Sequence, residues 1–281
     1  MAEHNDSENN LDFIAQDGSY QEKVLDYQYN LKTSNPIEIA AGNVTGYSKV
    51  NKFGSNSSVG TTLTPVCGSG FYRTPNAVET LEILSSDADD TVAGAGARTI
   101  TIQGLDGTGA FQEVTTDLDG TTAAAVSGSW LRVYRMWVSS TGTYSTQSVS
   151  GQQGTITLRA SGGGDTWAII GVDGLGLGQS QIGVYTIPLG KVAYLRSFQY
   201  SVDTNKTVNL YFFKRESITD TVAPFQAMRL QSVYEGITGD GSFKFDTASK
   251  YDELTDIGFM AKAGTGTASV SVEFELILVN K

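Results

Sequence analysis

The chain has very few of the histidine and cysteine residues on which many enzymes depend. Its 281 residues include one histidine, His4, and one cysteine, Cys67. A single histidine in a polar N-terminal stretch cannot supply Ser-His or Cys-His catalytic pairs or a histidine-based zinc site. A single cysteine cannot form a disulfide within the chain, so the fold must depend on packing and the thiol is expected to be buried. These absences predict a protein without enzymatic activity, cofactor or metal.

Positive charge and long apolar runs are also scarce. Lys and Arg total 19 against 30 Asp and Glu, which gives a formal net charge of −11. Nucleic acid binding needs a basic surface, so DNA and RNA are not expected as partners. No stretch approaches the ~18 apolar residues of a membrane span. The first ten residues lack the apolar segment of a secretory signal. We therefore expect a protein that is made in the cytoplasm, does not bind membranes and is not exported by the general secretory route.

Proline is scarce, with five residues, whereas glycine is abundant, with 32. The clearest pattern lies in residues 268–279 (A-S-V-S-V-E-F-E-L-I-L-V), where apolar and polar residues alternate. A period of two is that of a half-buried β-strand. Similar segments recur from residues 37–40 onward, separated by Gly-rich turns, and include a strand at 225–233. The run at 130–139 is apolar on both faces, which suggests a central strand. These segments predict an all-β protein of β-sandwich or jelly-roll type, with more than about 40% strand and less than about 10% helix.

The pattern also predicts how the chain is organised. Residues 161–164 (S-G-G-G) are too small to hold a packed element, so we place a boundary there, between β domains at 36–160 and 165–281. The residues expected in the core are Trp130, Val133, Trp137, Tyr194, Phe198, Leu210, Phe212, Phe274, Leu276 and Leu278.

Residues 1–35 have no clear period but carry several large apolar groups. They are either a frayed terminus or an extended N-terminal arm that orders on a neighbouring subunit or shell. The arm interpretation predicts contacts from Phe13, Ile14, Leu25, Tyr27 and Tyr29.

Four features of the sequence raise the question of other chemistry. The loop 174–178 (G-L-G-L-G) lacks the spacing of a phosphate-binding loop. The acidic turns at 87–90 and 117–120 offer carboxylates of the kind Ca²⁺ prefers, but neither has the full loop pattern, and solvated turns are favoured. Carboxylate pairs for glycoside hydrolysis cannot be recognised from sequence. The three tryptophans could stack on sugars, but they lie within apolar strand runs, which favours core packing.

Three segments resemble a recurring pattern in virion structural proteins of marine tailed phages. They are 98–106 (R-T-I-T-I-Q-G-L-D) followed by 130–137 (W-L-R-V-Y-R-M-W), and 181–195 (Q-I-G-V-Y-T-I-P-L-G-K-V-A-Y-L). The final strand, 274–280, is also similar, and the likeness covers about residues 95–281. Leu189 stands where the family often has alanine. The matching motifs are a hairpin turn and core strands, so the resemblance implies a place in the virus particle and no activity.

These observations together predict a capsid decoration (cement) protein, assembled into the virion in the host cytoplasm. Its expected partners are the phage capsid protein and copies of itself, as a dimer or trimer. A head or tail fibre or adaptor component is one alternative. A host-glycan-binding, depolymerase-like module is another, which exposed aromatic residues in a groove beside carboxylates would favour.

Overall fold

The computed structural model describes residues 36–144, 146, 151–172, 177–220 and 222–281. Strand makes up 58% of these residues and helix 2%, which confirms the predicted all-β, sandwich-type fold. The N-terminal arm, with Phe13, Ile14, Leu25, Tyr27 and Tyr29, lies outside the described residues.

Sixteen strands and one short helix follow one another along the described chain. They are α1 Pro36–Ala40, β1 Tyr47–Val59, β2 Thr64–Pro65, β3 Glu79–Ser85, β4 Ala97–Leu105, β5 Phe111–Asp117, β6 Ala124–Trp130, β7 Arg132–Thr141, β8 Ile156–Ala160, β9 Thr166–Ile170, β10 Val184–Thr186, β11 Lys191–Val202, β12 Val208–Arg215, β13 Arg229–Ile237, β14 Gly239–Tyr251, β15 Asp256–Ala263 and β16 Ala268–Asn280.

The chain forms two units that divide between Lys49 and Val50. In the described part of the first unit, residues 37–40, which were predicted as a strand, form a helical turn instead. Pro36 occupies the first helical position, where its fixed φ suits a helix and its missing N–H is not needed. The Ala41 amide then donates to the Ile37 carbonyl at 2.8 Å.

The second unit contains two packed pairs of sheets. In the first sandwich, residues 79–170, the sheet β6-β3-β8-β9 packs on the sheet β5-β4-β7. In the second sandwich, the sheet β1-β16-β11-β14 packs on β10-β15-β12-β13, and β2 pairs with β15. Along β16, every second residue from Ala268 to Leu278 is buried. The period-two pattern therefore identified the inner face of this strand correctly.

Strand pairing crosses the predicted boundary between residues 160 and 165. Ser161–Gly164 is the turn of the hairpin β8–β9, in which Ile156 lies opposite Ile170. Gly162 and Gly163 have φ angles of +80° and +78°, which glycine adopts without strain. A run of small residues suits a tight turn as well as a linker. In addition, β1 and β2 pair with strands of the C-terminal half. The division into domains at 36–160 and 165–281 remains a prediction.

Eight of the ten predicted core residues are buried, whereas Trp137 and Tyr194 are half-buried. Strict alternation in β11 would place Tyr194 on the same face as Phe198. The pairing of β11 with both neighbours shifts between Leu195 and Ser197. This β-bulge at Arg196 reverses the alternation, because an extra residue moves the following side chains to the other face.

The position of β7 also differs from the prediction. The long apolar run at 130–139 suggested a central strand, but the strand in the centre of its sheet is β4. The run is divided at Leu131, so Trp130 ends β6 and Arg132 begins β7. On β7, Met136 faces the core, and Trp137 bridges to Gln179 instead. Because β7 is buried on both faces near Val133, its sequence has the apolar character of a central strand.

We expect Phe274→Ala to lower the free energy of unfolding by about 3–5 kcal/mol, because it empties a packed aromatic site. Phe274 is 1% exposed, and its ring centre lies 5.8 Å from that of Phe259 on the facing sheet. Denaturant unfolding provides the measurement. Phe111→Ala is the matched control, since Phe111 is 50% exposed, and should change stability by about 0.5 kcal/mol or less. Equal effects of the two substitutions would show that the inner face of β16 is misassigned.

Candidate interaction surface

The described residues contain no group of three or more His, Cys, Asp or Glu side chains that could hold a metal ion. Within the same residues, no helix is long and apolar enough to cross a membrane.

The acidic turn at residues 87–90 is partly buried and has a structural role. The Asp90 carboxylate is buried and accepts hydrogen bonds from the amides of Ala97, Gln153 and Gly154 at 2.7, 2.9 and 2.8 Å. It also accepts one from Ser85 Oγ at 2.6 Å. These four donors occupy the oxygen positions that a cation would need. Asp90 therefore fixes the loops at one end of the first sandwich, which differs from the solvated turn that the sequence favoured.

A buried ion pair joins the two sandwiches. Arg132 begins β7 in the first sandwich, and Asp256 begins β15 in the second. The Arg132 Nε lies 3.1 Å from Oδ1 of Asp256, and Nη2 lies 3.1 Å from Oδ2. Two such bonds form the bidentate geometry in which guanidinium and carboxylate interact most strongly. The arginine side chain has no exposed surface and the aspartate side chain only 2%.

Further polar groups complete the shell of this ion pair. Thr186 Oγ1 donates to Oδ1 of Asp256 at 2.6 Å, and Arg215 Nη2 lies 3.3 Å from Oδ2. The Tyr72 hydroxyl lies 2.9 Å from Thr186 Oγ1. Burial, together with the nearby Asp256 carboxylate, raises the pKa of Tyr72. The cluster is enclosed and its hydrogen bonds are satisfied, so it joins the sandwiches and does not form an accessible catalytic site.

Two other buried groups lie near this junction. Lys52 on β1 donates to the Tyr134 carbonyl on β7. Burial, and secondarily the charge of Arg135, lowers the pKa of Lys52 well below its usual value. Burial raises the pKa of Cys67 to about 12, so this thiol stays protonated and unreactive at neutral pH. The expectation of a buried cysteine is confirmed.

We expect Arg132→Met to lower the free energy of unfolding by about 3–5 kcal/mol, because it leaves a buried carboxylate without its main partner. The double variant Arg132→Met/Asp256→Leu removes both charges and should be less destabilised than the single variant. Arg159→Met is the control, because its partner Glu82 is partly exposed and such pairs contribute about 1 kcal/mol or less. Denaturant unfolding measures the free energy of unfolding of the three variants and of the unaltered protein. A single variant as stable as the control would show that the ion pair does not join the sandwiches.

The tryptophans do not form a sugar-stacking platform. Trp130 and Trp167 are buried in the core of the first sandwich, and Trp137 is half-buried. Each buried indole N–H has a partner: Trp130 donates to the Ser127 carbonyl at 3.2 Å, and Trp167 to Glu79 Oε2 at 3.0 Å. The prediction of core packing is confirmed for these two residues.

Many of the exposed apolar side chains belong to one segment of the second sandwich. Of the 15 large apolar residues that are exposed in the described part of the chain, six lie between residues 222 and 243. We call this surface the apolar edge. Its residues are Val222, Phe225, Met228, Leu230, Val233 and Phe243.

The apolar edge includes two sheet edges that lie beside each other. In the described part of the chain, β13 pairs only with β12, and β14 pairs only with β11. The ring of Tyr234 on β13 lies 5.1 Å from that of Phe243 on β14, so the two strands face each other across the mouth of the sandwich. Strands of nine and 13 residues thus present unpaired backbone groups beside apolar side chains. Such an edge is a template for pairing with another chain.

A separate polar groove lies on the outer face of the sheet β1-β16-β11-β14. Its volume is about 780 Å³. Glu273 accepts hydrogen bonds from Asn51 Nδ2 and Gln199 Nε2, both at 2.6 Å. Phe53 contributes an aromatic ring, 5.6 Å below the Arg135 guanidinium. The other lining residues are Gly54, Ser55, Gln181, Tyr200, Ser201, Asp240, Gly241, Ser242, Ser271 and Val272.

No protein-family model matches the chain, and no curated protein matches it. The predicted membership of a marine tailed-phage family therefore rests on the sequence resemblance alone.

Several solved structures show a weak likeness. The infectious bursal disease virus particle is 11% identical, with 83% of this chain and 73% of that chain covered and a TM-score of 0.21. The PBSX exported protein XepA is 8% identical, with 80% of this chain and 86% of that chain covered and a TM-score of 0.18. An isomalto-dextranase of Arthrobacter globiformis, complexed with panose, is 13% identical, with 82% of this chain and 35% of that chain covered and a TM-score of 0.19. These similarities are too low to assign a function.

Sequence reasoning did not identify either the apolar edge or the ion pair. Residues 225–233 were predicted as a strand, but nothing in their pattern shows that the strand is at an edge. A signal for the ion pair was present, since Arg132 interrupts the apolar run W-L-R-V-Y at 130–134. A cation at a core position requires a buried partner.

Proposed function

We propose that this chain is a virion structural protein that decorates a phage capsid and acts through protein–protein contacts. The apolar edge is the observation that carries the proposal. Leu230 and Val233 are 52% and 44% exposed on a strand with one open side. Exposed apolar groups beside an open strand edge are typical of an interaction site, and the open edge adds main-chain hydrogen bonds to the contact.

The proposed partners are the capsid protein and further copies of this chain. The arm residues Phe13, Ile14, Leu25, Tyr27 and Tyr29 are proposed as the second set of contacts, with a neighbouring subunit or the shell. A head or tail fibre or adaptor component would use the same kind of contact at another place on the particle.

We expect Leu230→Lys/Val233→Lys to bind particles that lack the protein about tenfold or more weakly than the unaltered chain. The reason is that each apolar side chain buried in a contact contributes about 1.5–3 kcal/mol. Val92→Lys is the matched control, since Val92 is 51% exposed on the first sandwich.

Deleting residues 1–35 should also weaken binding to the particles, while the β-sheet circular dichroism and the melting temperature of the protein stay unchanged. The bound fraction after sedimentation of the particles is the readout.

The outcomes separate the two contacts. Full binding by the double lysine variant would overturn the role of the apolar edge. Undiminished binding by the truncated chain would show that the arm makes no contact with the particle.

The polar groove favours a second candidate function, the binding of a host glycan. Carboxylate and amide side chains such as Glu273 and Gln199 can accept and donate hydrogen bonds to sugar hydroxyls, and Phe53 offers an apolar ring. The groove lacks the buried tryptophans Trp130 and Trp167, which removes the strongest stacking groups. The arrangement therefore supports glycan binding less well than the apolar edge supports protein binding.

The glycan hypothesis predicts saturable binding of host lipopolysaccharide or capsular polysaccharide, lost in Gln199→Ala and retained in Leu230→Lys/Val233→Lys. The decoration hypothesis predicts no saturable binding by any of these proteins. Isothermal titration calorimetry with the purified polysaccharides distinguishes them. Release of reducing sugar that Glu273→Gln or Asp240→Asn abolishes would overturn the proposal that the protein lacks enzymatic activity.

A further inference from the structure

The sequence of the chain contains a segment that matches the apolar edge. The arm as a whole has no clear period, but residues 25–32 (L-D-Y-Q-Y-N-L-K) alternate strictly. The apolar set is Leu25, Tyr27, Tyr29 and Leu31, and the polar set is Asp26, Gln28, Asn30 and Lys32. Tyrosine and leucine on one side and polar groups on the other are the pattern of a strand with one buried and one solvated face.

We propose that residues 25–32 of one copy pair, as an added β-strand, with β13 of a second copy. The proposal deepens the proposed function and rests on it, because it names a second copy of this chain as the partner that occupies the apolar edge. Its consequence is an oligomer in which copies are linked by exchanged arms.

The backbone of β13 is suited to receive such a strand. Within the described chain its nine residues pair on one side only, with β12. An added strand would supply partners for the main-chain groups on the other side. Eight alternating residues of the arm match the nine residues of β13 in length. The 35 residues of the arm span on the order of 100 Å when extended, which is enough to reach a neighbouring copy in an assembly.

The side chains at the mouth of the sandwich favour one orientation of the added strand. Tyr234 lies opposite Leu210 on the core-facing side of β13. Across the mouth, Phe243 is 39% exposed, although its ring stacks on the buried Phe198 with centres 4.8 Å apart. An added strand with its apolar side toward Tyr234 and Phe243 would extend this aromatic cluster. Its polar side would then remain in water, beside Val233 on the outer face.

The charge of the edge permits this contact. Strands β13 and β14 carry six charged side chains, three of each sign: Arg229, Lys244, Lys250, Glu235, Asp240 and Asp246. The polar side of the added strand has one of each, Asp26 and Lys32. Neither the strand edges nor the added strand has a net charge that would repel the other. The contact therefore depends on the burial of apolar side chains.

Cysteine cross-linking between two full-length variants tests the proposal. One variant carries Cys at a polar arm position, Asp26→Cys, Gln28→Cys or Asn30→Cys in turn, which spares the apolar side. The other carries Val233→Cys. The native Cys67 is buried and does not compete. After oxidation of the mixture, at least one arm position should give a disulfide-linked dimer of the two variants on a non-reducing gel. Mixtures with Val92→Cys in place of Val233→Cys control for random collision.

The double variant Gln28→Cys/Val233→Cys shows which copy provides the strand. Cross-linked species of twice the chain mass or more support exchange between copies. An internal disulfide that leaves only monomers would overturn it, as would the absence of any cross-link at all three arm positions.

A second measurement uses matched charge insertions in the arm. Tyr29→Asp places a carboxylate on the apolar side, and Gln28→Asp places the same group on the polar side. Sedimentation velocity should show self-association at least tenfold weaker for Tyr29→Asp and nearly unchanged for Gln28→Asp. Equal behaviour of the two variants would overturn the proposed orientation and pairing.

The outcomes also distinguish this inference from the proposed function. If no cross-link forms but Leu230→Lys/Val233→Lys still fails to bind particles, the arm exchange is wrong and the decoration role stands. If the cross-link forms but the unaltered chain does not bind particles, the exchange is correct and the decoration role is wrong.

Discussion

The buried pair of Arg132 and Asp256 is the constraint on which the arrangement of the second unit depends. The two charges come from different sandwiches, and neither could be left buried without the other, because an unpaired ion in the interior costs several kcal/mol. The pairing therefore holds the start of β7 against the start of β15. Thr186 donates a further hydrogen bond to the carboxylate, and Arg215 forms a second ion pair with it. Val184 and Phe213 of the second sandwich also pack into the core of the first.

The second sandwich presents the unpaired edges of β13 and β14. Proteins usually protect long edge strands with charges, bulges or a covering segment. Here β13 has bulges in its pairing with β12, yet Leu230 and Val233 remain exposed, and Phe243 carries the core aromatic cluster to the surface. Contact with a partner would remove these apolar groups from water. The strand proposed at residues 25–32 needs the same burial, since ordering a segment costs about 1–2 kcal/mol per residue in backbone entropy.

The sequence was informative wherever one local rule decides the outcome. Alternation in β16 identified its buried face, and the Gly-rich turns identified an all-β chain. The rule failed where one extra residue intervenes: the bulge at Arg196 turns Tyr194 away from the face of Phe198, and no pattern in the sequence marks it. It also failed at residues 37–40, where Pro36 begins a helical turn.

The candidate surface was harder to predict, because it depends on which strands end a sheet. Leu230 and Val233 have the same local pattern as core strand residues. Their exposure follows from the absence of a strand beside β13, which is a property of the topology. Arg132 could have been recognised as a buried cation, but its partner lies 124 residues away, and sequence alone does not identify such a partner.

Hydrogen–deuterium exchange of the full-length protein, free and bound to particles, tests the central claim that this protein works by protein contact at the apolar edge. The account predicts slower amide exchange on binding in β13, residues 229–237, with exchange in the groove strands β1 and β16 unchanged. Protection confined to β1 and β16, with none in β13, would contradict it.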